Sequence, residues 1–267
     1  IDTLRPKVSL FMAKCSFQAK KWKEAADYYL AALPIKARWE STDYWFFGAA
    51  LVLAGDTARA INVMAEAADR DPKQCQLMFR YAVLLQGRMM YARSTEIFRK
   101  RLENCKDSLD AKIHVFIGNN FFSDSLVDSA IASYERSLGV NPTYTYAKLR
   151  MGETYLIKGD VAKGQPILDS VIASARTSAN ADDKRYGSQA IVRLNGVDVA
   201  EKKWQAIVDR SKIGVEMDPK SVSSWLYLAF GYQGLADADN AKKAYREVLK
   251  LDPNNETAKK NLKALGG

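Results

Sequence analysis

The chain has 267 residues, 48% of them hydrophobic and 27% charged, with 40 Lys or Arg against 31 Asp or Glu and a formal charge of +9. That is enough apolar material for a sizeable core and too balanced a composition for a disordered chain. No apolar run approaches the ~18 residues of a membrane-spanning helix, and one histidine with three scattered cysteines makes no cluster of zinc-binding spacing.

Helical periodicity and strong breakers divide the chain into short helices. Residues 3–17 and 22–33 form a first helical hairpin, ended by Pro34. Ser41 and Asp43 stand where they can cap the next helix by accepting backbone N–H bonds. Gly55-Asp56-Thr57 offers a tight turn, with Gly where a left-handed residue is needed. Residues 75–87 and 91–102 make the third pair, and Ser123-Asp124-Ser125 and Gly159-Asp160 mark the turns of the fourth and fifth. The polar segment 176–183 reads as a loop or a lengthened helix end. Gly187 and Gly196 are expected to loosen the helix that follows. The clearest pair is the last: 221–234, a turn at 235–237, then 238–251. Pro253 stops it, because proline lacks an N–H and disfavours the α region for Asp252. Residues 256–265 form an amphipathic end helix with Ala258, Leu262 and Leu265 on one face, stopped by Gly266-Gly267.

In this last pair the small residues Ala229 and Ala241 sit where two helices would cross, and Trp225, Leu228, Tyr232, Tyr245 and Val248 fill around them. The spacing resembles the tetratricopeptide repeat, whose pattern recurs about every 34 residues. Tyr44, Phe47, Gly48, Leu51, Ala60, Met64, Ala67 and Pro72 fill the same slots in the second pair. His114, Ile117, Gly118, Phe121, Ala130, Tyr134, Ser137 and Pro142 fill them in the fourth. Departures fall at Ser9 and Ser16 in the first pair, Arg101 and Lys106 in the third, Arg176 in the fifth, and Asn195 and Asp198 in the sixth. Lys20-Lys21-Trp22 and Lys202-Lys203-Trp204 occupy one slot in two repeats, which supports the register. The resemblance implies an all-α fold: a right-handed superhelical solenoid of seven TPR-like helical hairpins with a C-terminal capping helix. The expected divisions are repeats one to five over 1–176, a linker or lengthened connection over 177–186, repeats six and seven over 187–253, and the capping helix over 254–267.

In such an array the first helices line a concave groove. Side chains one turn from the core slots point into it: Leu10 and Phe17, Trp45 and Val52, Phe79 and Val83, Val115 and Phe122, Leu149 and Leu156, Val192 and Val199, Leu226 and Phe230. This is a candidate apolar lining for a partner helix or peptide. Arg80, Arg150 and Arg193 occupy equivalent positions beside it, with Asn119, Glu153 and Gln233 as further polar contacts. Arginine presents a fork of donors suited to carboxylates, so these three are expected to orient an acidic or C-terminal segment. The family's co-chaperones hold such a segment with Lys at a leading slot. Here that slot carries Leu10, Trp45, Phe79, Val115, Leu149, Val192 or Leu226, so that clamp is absent.

No catalytic set is found. His114 has no Cys or Ser partner within its repeat, and Gly159 to Gly164 lacks the Gly-Lys-Ser/Thr ending of a phosphate loop. The expectation is a noncatalytic scaffold or adaptor that needs no cofactor or metal and binds a protein or peptide segment, acidic or amphipathic and helical. The alternative is a structural subunit of a larger or homo-oligomeric assembly, using its ends and its basic second helices. Most aromatics are taken up in packing, which disfavours nucleic acid. Cys15, Cys75 and Cys105 are read as small apolar residues; their odd number and the lack of a CxxC favour a soluble chain in the cytoplasm over the periplasm. The first residue is Ile1, which suggests a trimmed or mature chain, so a leader peptide would lie outside it.

Overall fold

A computed structural model describes residues 4–266; Thr3 and Gly267, expected at the two ends, lie outside them. Among the described residues the chain is helical throughout and has no strand. It divides into two compact units, Ile1–Leu126 and Val127–Gly267.

The first unit holds α1 (Leu4–Gln18), α2 (Trp22–Ala31), a 3-10 segment at Leu33–Arg38, α3 (Ser41–Leu53), α4 (Thr57–Arg70), α5 (Cys75–Gly87), α6 (Tyr91–Asn104) and α7 (Asp110–Ser123). Helices α1 and α2, α3 and α4, and α5 and α6 pack as consecutive hairpins. Tyr29, Phe47, Met64, Tyr81 and Phe98 form the spine of the core, each at most 3% exposed. The second unit holds α8 (Val127–Val140), α9 (Thr145–Ile157), α10 (Val161–Thr177), α11 (Ala181–Ala200), α12 (Trp204–Met217), α13 (Val222–Gly234), α14 (Ala238–Leu251) and α15 (Glu256–Ala264). Its hairpins are α9–α10, α11–α12 and α13–α14, with α8 against α9 and α15 against α14. Leu149, Leu168 and Ile191 fill one core cluster, and Leu228, Tyr245 and Val248 another.

One backbone device recurs through the turns. Lys20 (φ 60°), Gly55 (91°), Met89 (58°), Ser125 (61°), Gly159 (85°), Lys202 (56°) and Ala236 (62°) each take the left-handed conformation. The next N–H then returns to the carbonyl of the last helical turn, as from Lys21 to Ser16 (2.9 Å), Met90 to Leu85 (2.9 Å) and Asp237 to Tyr232 (2.9 Å). This is the Schellman arrangement, which satisfies carbonyls that the helix end leaves open. Asp56, Asp160 and Asp237 then cap the next helix by accepting from Arg59, Lys163 and Asn240 backbone N–H groups. The paired Lys-Lys-Trp stretches are thus the same turn twice. Close approach uses small residues: a Cβ on Gly152 would stand 2.7 Å from Leu168 Cγ, and one on Gly164 would stand 2.9 Å from the Gly152 carbonyl oxygen.

Of the two readings of segment 177–186, the structure has the lengthened helices: α10 runs to Thr177 and α11 starts at Ala181. Three expectations are corrected. Gly187 does not loosen α11 but lets it press against Ala175 of α10. At α3 Asp43 does cap as expected, accepting the Glu40 N–H through Oδ2 at 3.0 Å, but Ser41 does not, because Glu40 precedes the helix and Ser41 is already inside it. Finally, Cys75 and Cys105 form a disulfide with a Cα–Cα distance of 6.0 Å, while Cys15 is free and exposed. Two plus one accounts for the odd count, and the basis for expecting a reducing compartment goes with it.

Candidate functional site

The first unit carries an apolar cleft of about 330 Å³ between α3 and α5. Trp45, Ala49 and Val52 recur at helical spacing on α3, Phe79 and Val83 on α5, and Met64 of α4 lies beneath. Leu53 at the rim is 54% exposed. Arg80 lies over the Trp45 ring, its guanidinium carbon 4.9 Å from the centroid. A cation held against an aromatic face in this way stiffens both groups. Four expected apolar residues (Trp45, Val52, Phe79 and Val83) and Arg80 therefore meet at one place. Ala49, Leu53 and Leu84 were missed there, although Ala49 lies four residues from Trp45, Leu84 four from Arg80, and Leu53 next to Val52.

Other expected residues serve the interior. Phe17 packs on Trp22 (centroids 5.2 Å) and Phe46 (4.9 Å), and Leu10 lies partly buried against the same core. Val115 is 2% exposed and Leu149 is 1% exposed. Both are core side chains, so their expected place on an open lining is corrected. Asn119 and Phe122 on α7 are half-buried. The neighbouring Asn120 is fully buried, donating to Ser94 Oγ (3.0 Å) and Thr95 Oγ1 (3.1 Å) and accepting from Gln86 Nε2 (2.6 Å).

In the second unit a polar cleft of about 470 Å³ opens among α9, α11 and the start of α13. Its centre is the Glu153 carboxyl, 5% exposed, which accepts from Arg150 Nη1 (2.6 Å) and from Arg193 Nε (2.8 Å) on the next hairpin. These two arginines thus already hold an internal carboxylate, and Arg80 lies in the other unit. Burial works against the Arg150 charge, but Tyr134 and Glu153 beside it more than offset this, and its pKa is raised. Val192 borders this cleft, as do Tyr146, Arg185, Ser188 and Gln189, which were not expected. Leu156 covers Gly164. Leu226 and Phe230 pack partly buried on the last core cluster, Phe230 6.1 Å from Tyr245. Phe230, Val199 and Gln233 also border a hollow of about 410 Å³ beside Trp204. Gln233 accepts from the Tyr245 hydroxyl at 2.6 Å.

Among the described residues no group of three or more His, Cys, Asp or Glu is placed to hold a metal ion, and no helix is long and apolar enough to cross a membrane.

Residues 223–255 match the tetratricopeptide repeat family model. No curated protein matches the sequence. Among solved structures, PilF of Pseudomonas aeruginosa is similar over 84% of this chain and 96% of its own, with 15% identity and a TM-score of 0.57. MamA from Desulfovibrio magneticus RS-1 is similar over 67% of this chain and 99% of its own, with 16% identity and a TM-score of 0.53. The Cut9–Hcn1 hetero-tetramer of the APC/C is similar over 98% of this chain and 53% of its own, with 12% identity and a TM-score of 0.58. Likeness at this level shows the fold. The matched repeat is the α13–α14 hairpin that the sequence marks most clearly, and the other hairpins repeat its turn: the chain carries a tetratricopeptide repeat at residues 223–255 within a fold of the tetratricopeptide-repeat type.

Proposed function

We propose that the chain is a protein-interaction scaffold that takes an apolar peptide or helix segment of a partner over the α3–α5 cleft. One observation carries the reading: Trp45, Val52, Phe79 and Val83 converge around a hollow of about 330 Å³ that the chain's own side chains leave open, with Arg80 fixed at its edge. A half-open apolar surface with a rigid aromatic and an arginine is the composition of a binding hot spot. The Trp45 indole is held on one face by Arg80, so ordering it on binding loses little entropy. The Cut9–Hcn1 assembly, similar in fold, joins two different chains, which supports a binding role. The arginine cleft is a weaker place for an acidic segment, because Glu153 already engages Arg150 and Arg193.

The test is a selection from a random peptide library on the intact chain, followed by titration on Leu53→Ser/Val83→Ser. Leu53 is exposed at the rim and Val83 is only partly buried against the core, so the variant should stay folded with at most a small drop in melting temperature. Peptides rich in Leu, Phe or Trp are expected to bind the parent chain and to lose at least about tenfold in affinity on the variant. Equal affinity for the two proteins, or no enriched peptide, would remove this reading.

A further inference from the structure

Helix α1 has a second face. Pro6, Ala13 and Ser16 are buried against the rest of the first unit. On the opposite side Val8 is 52% exposed, Phe11 is 65% exposed and Cys15 is exposed, with Leu4 continuing the line one turn earlier. Positions 4, 8, 11 and 15 alternate steps of four and three, the a/d spacing of a coiled-coil seam. At 3.6 residues per turn these positions span about 60° of the helix circumference. A helix lying on a membrane needs a broader apolar face. A strip this narrow fits the ridge of another helix.

The borders of the strip fix the sign of that helix. Lys7 and Lys14 run along one edge and Arg5 along the other, and α1 contains no Asp or Glu. Lys14 is engaged by Asp43 at 2.8 Å. Among the described residues Arg5 and Lys7 form no ion pair. A second copy meeting this face through its own α1 would bring like charges together, which disfavours self-association. The end helix α15 contrasts with it: Ala258 is buried, and Leu262 and Leu265 pack inward on α14.

We propose that the outer face of α1 docks an amphipathic partner helix whose apolar a/d stripe is flanked by Glu or Asp. Val8 and Phe11 supply the apolar contact, Arg5 and Lys7 select the charge, and Cys15 becomes covered. This surface is separate from the α3–α5 cleft, and the proposal stands without that reading.

The test uses a synthetic helix of about three heptads with Leu at a and d and Glu at e and g, beside the same helix with Lys at e and g. Binding is followed by fluorescence anisotropy and by the rate at which a thiol reagent modifies Cys15. The Glu helix is expected to bind and to slow the modification of Cys15. The Lys helix should bind at least about tenfold more weakly, and Val8→Ser/Phe11→Ser should weaken the Glu helix by a similar factor at unchanged melting temperature. Equal binding of the two helices, binding indifferent to the double substitution, or no binding at all would overturn the proposal. It would equally fall if Val8→Ser/Phe11→Ser abolished self-association of the chain, or its sedimentation with phosphatidylserine vesicles, while neither helix bound.

Discussion

The Cys75–Cys105 bond offers the sharpest quantitative test. It joins the first residue of α5 to the residue after α6, across a sequence separation of 30. Closing a loop of that length removes unfolded-chain entropy worth about 3.5 kcal/mol at 25 °C. The bond lies within one hairpin, so the effect should concentrate there. Beneath it Arg101, 1% exposed, donates through Nε to the Cys75 carbonyl (3.3 Å) and pairs with Asp107 and Asp110. The perturbation is Cys75→Ser/Cys105→Ser, compared with the parent chain before and after reduction. Urea unfolding should show the double variant less stable by about 3.5 kcal/mol, and a reductant should weaken the parent but leave the variant unchanged. Hydrogen exchange in α5 and α6 should accelerate more than in α13 and α14. In the native parent one thiol per chain, that of Cys15, should react with a thiol reagent. Three reactive thiols after oxidative refolding, or coincident unfolding curves for parent and variant, would refute this reasoning.

Two further predictions concern the turns and the tyrosines. Ala236→Gly and Lys202→Gly should each raise stability by about 0.5–1 kcal/mol by relieving a left-handed conformation at a residue with a Cβ, whereas Gly159→Ala should lower it by about 1 kcal/mol; thermal melts that rank these variants the other way would sink the assignment of the turns. Burial pushes the phenols of Tyr134 and Tyr245 up to about 12, with Arg150 acting against the shift at Tyr134. Their unfolded value is about 10, so this contribution to stability is fully present below pH ~10 and disappears as pH rises through about 12. Phenolate absorbance should therefore appear for these two residues only together with loss of helical signal; their ionisation near pH 10 in an intact helical chain would contradict the burial.

How much of this was legible follows the range of each interaction. The α13–α14 hairpin was readable almost to its ends, because its crossings, its turn at Ala236 and its stop at Pro253 are all local in sequence. The disulfide was not, because its partners are far apart in the chain. Only the up-and-down course of a hairpin brings the start of α5 beside the end of α6. Leu149 failed as a lining residue for another reason. Its slot on α9 was assigned correctly to a helix face, but the next hairpin lies close enough to bury that face among Leu168, Ile191 and Leu194. Whether a helix slot is open depends on the spacing between hairpins, which no pattern within one repeat encodes. Arg150 and Arg193 were placed beside each other in the repeat register, yet the carboxylate that joins them, Glu153, was read as a third ligand contact rather than as their partner.

The departures from the repeat pattern have a shared logic. Asn195 and Asp198 stand in slots that other repeats fill with small and aromatic residues. They are answered on α12 by Ser211, which accepts from Asn195 Nδ2 at 2.7 Å, and by Arg210, which pairs with Asp198. Arg101 is answered by Asp107 and Asp110, and Asn120, a buried polar residue beside the Phe121 slot, by Gln86, Ser94 and Thr95. Near-identical hairpins could otherwise stack in the wrong order or slip by a helical turn, since their apolar slots are interchangeable. A slipped stack would leave Asn120 and Arg101 without their partners, each loss costing about 1–3 kcal/mol. The Asn195 and Asp198 pairs instead lie within the α11–α12 hairpin and hold its two helices in register. The apolar slots thus make the hairpins stick, and the polar exceptions decide which neighbour each one accepts. On this account the irregular third repeat is not a decayed copy of the pattern but a place where stacking order is written, and the sixth fixes the register of its own two helices.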